Sequence, residues 1–375
     1  MSKTGKDSKK NSVFETEADA AEAQPKQRNF DLDLLKRLTE TPGISGREEQ
    51  VRELVIKEMR PYVDEIKVDS MGNVIGVKHG SGKTKIMIDA HMDEIGFLVK
   101  YIDENGYLRV QPVGGHDPSV LVAQRVWVHT ESGSYRGVMT PARKPIHLQR
   151  DKAEGAPTLN DLFVDTGLSA DKVKELIEIG DFITMDRGLE VLGDNVISKA
   201  MDDRSGLFVM LETLKRLKKT SATIYTCAAV QEEVGLRGAG TAAYFADADI
   251  TIALDTTLAV EMPGSSPQDA VTTIGSGVAI KVMDGGHIAH YKLMKGLREL
   301  ARREEIPFQM EILPGGTTDA AAMQRARGGT ISATLSLPSR YVHTVNEMLS
   351  LDDLEAAIAL LTAFLHEAKP EDFKY

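Results

Sequence analysis

The chain has 375 residues, 42% hydrophobic and 27% charged, enough for one large domain and a smaller one of ordinary globular composition. Its 45 basic and 56 acidic side chains leave a net charge of -11, which repels phosphate backbones and argues against a nucleic-acid partner. No segment is apolar and long enough to span a membrane, and a single cysteine, Cys227, excludes an intrachain disulfide.

The opening MSKTGKDSKKN lacks the apolar stretch of a signal peptide, so the expected compartment is the cytoplasm. Residues 1–29 are polar and aperiodic and read as a disordered tail. Leu32, Leu34, Leu35 and Leu38 then recur at helical spacing until Pro42-Gly43. Ser45 and Glu48 have capping-box spacing for a helix to about Met59. Strands are predicted over Glu65–Asp69 and Val74–Lys78, with a turn at Gly72-Asn73, and over Lys85–Ala90, ending at His91.

Between Phe97 and about Asn195 short β runs alternate with turns such as Gly114-Gly115 and Ser132-Gly133, with one helix near Asp171–Ile179. From Asp203, helix and strand alternate. Leu207, Met210, Leu211, Leu214 and Leu217 mark a helix whose end carries the basic cluster Lys215, Arg216, Lys218 and Lys219. Strands follow over Thr223–Val230 and Ile250–Leu254, a helix over about Ile288–Arg303 and a strand over Thr330–Leu337. Ser350 and Asp353 cap a last helix to about Ala368. The expected fold is therefore α/β, built from residues 30–96 and 196–375, with a small β-rich domain inserted at 97–195.

In an open α/β sheet, ligands bind beyond the carboxyl ends of the strands. The polar residues expected there are His91 and Asp93, Glu232 and Glu233, Asp255, and His343 after a short loop. Asp202-Asp203 stand ahead of the helix that starts near Arg204. Singly, each has a plainer reading: a structural histidine, a solvated glutamate pair, an aspartate N-cap. Together they bring two histidines and several carboxylates, with no thiolate, to one rim. That donor set suits zinc, cobalt or manganese. A catalytic zinc takes about three protein ligands, so five ligands serve two ions if one carboxylate bridges. Such a pair, about 3.5–4 Å apart, would hold one hydroxide and stabilise a tetrahedral intermediate. A nearby base would pass its proton to a leaving amine. Glu232 and Glu233 can divide these tasks either way.

Six stretches resemble, in order, motifs of the tetrahedral-assembly aminopeptidases, the glutamyl and deblocking family of two-metal exopeptidases. They are AHMDEIGF (Ala90–Phe97), SKAMDDRSG (Ser198–Gly206), VQEEVGLRGA (Val230–Ala239), ALDTT (Ala253–Thr257), GGTTDAAAM (Gly315–Met323) and SRYVHTVNEM (Ser339–Met348). The resemblance runs from about Phe30 to the C-terminus. It implies a three-layer α/β/α mixed-sheet peptidase domain. Asp202 would bridge two metals, His91 and Asp255 complete one site, and Glu233 and His343 the other. Glu232 would be the general acid/base, and Asp93 would fix the tautomer of His91 through its second ring nitrogen. The resemblance further implies peptide substrates, a dimerising role for the insert, and dimers assembled into a hollow dodecamer.

Two departures bear on the substrate. His343-Thr344-Val345 replaces the family's frequent His-Ser-Pro, and Glu261-Met262-Pro263 lacks its frequent aspartate before the proline. Asp319, in a Gly-rich loop, and Arg340 are candidate substrate contacts. His147, His287 and His290 read as surface or structural histidines with a possible place in the pocket, and Cys227 as strand packing. Competing functions are an amidase or deacylase on the same metal pair, a glycosidase with paired carboxylates, and a non-catalytic assembly protein.

Overall fold

Successive side chains on a strand point to opposite faces. In the strand Lys85–His91, Ile86, Ile88 and Ala90 enter one buried apolar cluster while Met87 enters another. This strand is therefore covered on both faces and sits inside a sheet. It pairs in parallel with Thr223–Ala229 on one side and Ile250–Leu258 on the other, and the latter pairs in parallel with Ile331–Arg340. Antiparallel strands extend the sheet outward to Val74–Lys78 and Glu65–Val68 at one edge. At the other lie Glu347–Ser350, Asn195–Ser198 and Glu190–Leu192. The result is a mixed sheet of 11 strands among the residues 29–144, 146–148 and 155–374 that the computed structural model describes. Residues 1–28 of the expected tail lie outside the described residues.

Helices Leu32–Glu40, Glu49–Met59, Met201–Arg216, Tyr291–Arg303 and Leu351–Glu367 cover one face. Leu207, Met210, Leu211 and Leu214 are buried there. Truncating such a leucine to alanine costs about 2–5 kcal/mol. Arg237–Ala246 and Ala320–Gln324 cover the other face, where Ala239, Ala242, Ala243 and Ala246 let the helix approach the sheet closely. Cys227 packs in this layer and is buried. The architecture is α/β/α. Among the described residues no helix is long and apolar enough to cross a membrane.

Five residues after His91 the chain leaves this sheet for a closed barrel. Its strands are Gly96–Ile102, Leu108–Val113, Gln124–Thr130, Gly133–Pro141, Leu162–Asp165 and Phe182–Met185. Phe97, Val99, Leu108, Val126, Val128 and Ile183 fill it, and Val345 from the large domain joins that core. Strands Glu190–Leu192 and Asn195–Ser198, the first of which the sequence assigns to the insert, belong to the large sheet.

Other differences have local causes. Glu48 is the N-cap residue of Glu49–Met59 but makes no side-chain cap, because its carboxylate accepts from Gly46 N. Ser45 donates instead to Asp93 Oδ2 at 2.6 Å. Ser350 does cap its helix, accepting from Asp352 N, while Asp353 turns away to accept the N–H groups of Gly275 and Gly277. The Ile250 strand runs on to Leu258, so Asp255 lies within it rather than after it.

Candidate metal centre

The parallel order brings four carboxyl ends together. Ala229 pairs with His91, and Ala253 pairs with Asp89, so Asp255 and His91 follow two residues later on adjacent strands. Glu232 and Glu233 follow the Thr223 strand, and His343 follows the Ile331 strand. Asp202 arrives from a different direction. It sits with Asp203 in a non-helical stretch at the start of Met201–Arg216, and the peptide between them is cis.

The two aspartates have separate partners. Asp202 Oδ1 lies 3.2 Å from His91 Nε2, and Asp202 Oδ2 lies 3.5 Å from His343 Nε2. Each of its oxygens thus faces a different imidazole. Asp203 turns to the backbone, accepting His91 N at 3.3 Å and Gly206 N at 3.0 Å. A side chain at position 206 would strike that carboxylate, since a Cβ there would stand 2.4 Å from it. The plain N-cap reading therefore describes Asp203.

Two groups of three ligand atoms result, each with its atoms within 4.8 Å of one another: His91, Asp202 and Asp255; and Asp202, Glu233 and His343. Asp202 is common to both. Glu232 belongs to neither group, and its Oε2 lies 3.9 Å from His91 Nε2. The donors fit a pair of divalent cations. Two imidazoles and three carboxylates are what zinc, cobalt or manganese accept. Glu233 Oε1 is buried with no hydrogen-bond partner, 3.4 Å from His343 Nε2, and such an oxygen is costly unless something cationic engages it.

Electrostatics point the same way. Burial opposes charge on His343, but Asp202 and Glu233 beside it push its imidazole up to about 12. His91 is likewise driven up, by Asp202 and Asp93 against its own burial. Asp202 is held well below the usual carboxylate range by the two imidazoles, again against desolvation. Burial, then the charges of Asp255, Glu233 and Asp93, raises Glu232 well above an ordinary glutamate despite nearby His91. A cluster this rich in carboxylates holds positive charge strongly.

Asp93 differs in detail from expectation. The group at hydrogen-bonding distance from His91 Nδ1 is the Asp93 carbonyl oxygen, at 2.9 Å, with the carboxylate at 3.5 Å. The carboxylate accepts Glu232 N at 3.0 Å, Glu233 N at 3.2 Å and the Ser45 hydroxyl. One residue therefore orients both the histidine and the glutamate turn. The two candidate substrate contacts do not line the cleft. Asp319 is 3% exposed and its carboxyl lies beside buried Asp89, not in the cleft. Arg340 pairs with Glu261, Nη2 to Oε1 at 2.7 Å, and its side chain is absent from the cleft wall. His287 and His290 are buried, His147 is exposed, and none lines the cleft.

The cleft itself opens beside the two groups. Its volume is about 740 Å³, and Leu236, Leu258, Val260, Val271, Leu313 and Val342 supply its apolar walls, within the range of small-molecule sites. Sequence reasoning missed several supports. Arg204 is fully buried and donates to the carbonyls of Met92, Thr41, Gly43 and Leu38, which fixes the turn next to His91. Gly114 and Gly115, read as a turn, bring the barrel against the ligands. A Cβ at Gly114 would stand 3.3 Å from Glu233 Oε2, and one at Gly115 would stand 3.3 Å from His343 Nδ1. The glycine pair itself was the available signal.

Residues 72–360 match the M42 glutamyl aminopeptidase family. The chain belongs to that family. The lysyl aminopeptidase of Pyrococcus furiosus is 38% identical over 353 residues, 92% of this chain and 99% of that protein. Among solved structures, an aminopeptidase from the archaeon Desulfurococcus kamchatkensis is similar, with a TM-score of 0.87, 42% identity and coverage of 91% and 96% of the two chains. The TET1 peptidase of Pyrococcus horikoshii, described as assembling into a tetrahedron or a large octahedral shell, superimposes with a TM-score of 0.81 at 34% identity, covering 90% and 99%. The aminopeptidase family thus carries the α/β/α layers and the inserted barrel together.

Proposed function

We propose that this aminopeptidase removes N-terminal residues from peptides at a centre for two divalent cations. Asp202 is the shared ligand, His91 and Asp255 complete one site, and Glu233 and His343 complete the other. The observation that carries this reading is Asp202, whose two carboxylate oxygens face His91 and His343 separately. A bound pair of zinc, cobalt or manganese ions would supply Lewis-acid polarisation of the scissile carbonyl and acidify water.

The chain's own residues do the rest. Glu232 takes the proton of the attacking water and returns it to the departing amine. Its carboxylate lies beside both ligand groups but belongs to neither, which leaves it free for proton transfer. Asp93 supports that role by binding the Glu232 amide. The apolar walls of the cleft give the side chain of the peptide's end a surface to pack against. A homo-oligomer, in the manner of the TET peptidase, is proposed on family grounds; a mass of 41.0 kDa in light scattering, that of one chain, would contradict it.

The test is a panel of aminoacyl substrates and N-acyl amides, assayed before and after chelation. Release of free amino acids is expected from the aminoacyl set only. Chelation should abolish it, and added zinc, cobalt or manganese should restore it. Turnover of N-acyl amides alone would support the deacylase reading, and activity indifferent to chelation would remove the metal pair from the mechanism.

A further inference from the structure

Glu347 opens the short strand Glu347–Ser350, four residues past His343, and is 2% exposed. Its two oxygens do different work. Oε2 accepts the backbone N–H of Asp202 at 3.0 Å, and Oε1 accepts the backbone N–H of His343 at 2.7 Å. One buried carboxylate thus joins two backbone segments that carry metal ligands and lie far apart in the chain. Burying a carboxylate is costly unless its oxygens are hydrogen-bonded, and here each oxygen has a backbone partner. The geometry offers a use for it.

His343 needs holding. Its φ is 62°, and that of Tyr341 in the same turn is 61°, a left-handed conformation that non-glycine residues keep only where their surroundings hold it. Its side chain is 35% exposed, against 2% for His91, so packing alone fixes it less. Asp202 lies in the irregular start of its helix, where no regular helical hydrogen bond sets its position. Glu347 fixes both from behind, while Gly115 of the barrel lies against the His343 ring.

We infer that Glu347 is a positioning residue for the site formed by Asp202, Glu233 and His343, setting the separation between the shared carboxylate and the exposed imidazole. It is in neither ligand group, and its oxygens accept backbone amides. The inference rests on the two-cation reading above. It adds that the two sites differ in what supports their unshared ligands: His91 and Asp255 stand on paired, buried strands, whereas the His343 backbone is held by Glu347.

Zinc alone, titrated by calorimetry into the metal-free full chain, tests this. Wild type should take up two ions. Glu347→Gln retains the shape but can accept only one of the two N–H groups, and E347A accepts neither. The second ion should weaken about 10–100-fold, E347A more than E347Q, with the first ion much less affected. A purely structural role would lower thermal stability and leave the ratio of the two affinities unchanged. Both affinities at wild-type values, or equal losses at both, would overturn the inference. Uptake of a single ion by wild type would instead overturn the two-cation reading. Should the variants fail to fold, hydrogen exchange in the metal-free wild type decides: the His343 amide should exchange slowly, and rapid exchange would overturn the clamp.

Discussion

His91 and His343 show how much one side chain's surroundings decide. In the metal-free site both imidazoles are driven up by neighbouring carboxylates, His343 to about 12. A metal ligand must be neutral imidazole. Metal binding near neutral pH therefore displaces protons from a site that prefers to keep them. The sign follows: affinity rises with pH and falls on acidification. Calorimetry in buffers of different ionisation enthalpy should report proton release on metal uptake, and a heat that is the same in every buffer would count against the assignment. Much of this residue set was legible from strand ends, because chemistry-bearing residues stood where an open sheet exposes its ligands. Glu347 was not legible, since its partners are backbone amides and sequence carries no mark of an amide's partner. Asp319 shows a related limit of pattern: a Gly-rich loop suggests a contact surface, whereas this carboxyl is buried next to Asp89.

At the scale of elements, short apolar runs bounded by turn residues marked the central strands, since burial on both faces removes the polar alternation of a half-exposed strand. The caps were less readable. Ser45 with Glu48 and Ser350 with Asp353 have capping-box spacing, yet tertiary partners claimed Ser45 and Asp353: the Asp93 carboxylate and the Gly275 and Gly277 amides. The barrel has its own pH dependence. His129 lies between Ser134 Oγ at 2.8 Å and Thr184 Oγ1 at 2.9 Å, stacked on Phe182, and burial lowers it to about 4. The folded barrel thus binds this proton less readily than the unfolded chain does. Its contribution to stability is complete above about pH 6.5 and is lost as pH falls toward 4. The slope should be about 1 kcal/mol per pH unit within that window. His129→Gln should flatten that part of the acid-unfolding curve, and a curve as steep as wild type would show that the proton is taken up elsewhere.

On the whole-molecule scale, the barrel strands begin at Gly96, five residues past His91, and end at Met185. The insertion therefore starts at the rim of the centre, and its Gly114–Gly115 turn returns to lie against Glu233 and His343. Coupling between the two domains follows from this closeness, and a sequence read in segments does not reveal it. The proposed centre holds two cations on five residues, with Glu232 moving the proton. The most direct measurement is of Glu232→Gln, with its metal content and aminopeptidase rate determined on the same preparation. Two ions per chain are expected, with turnover reduced about 10²–10⁴-fold. A variant that keeps both ions and turns over near the wild-type rate would contradict the account.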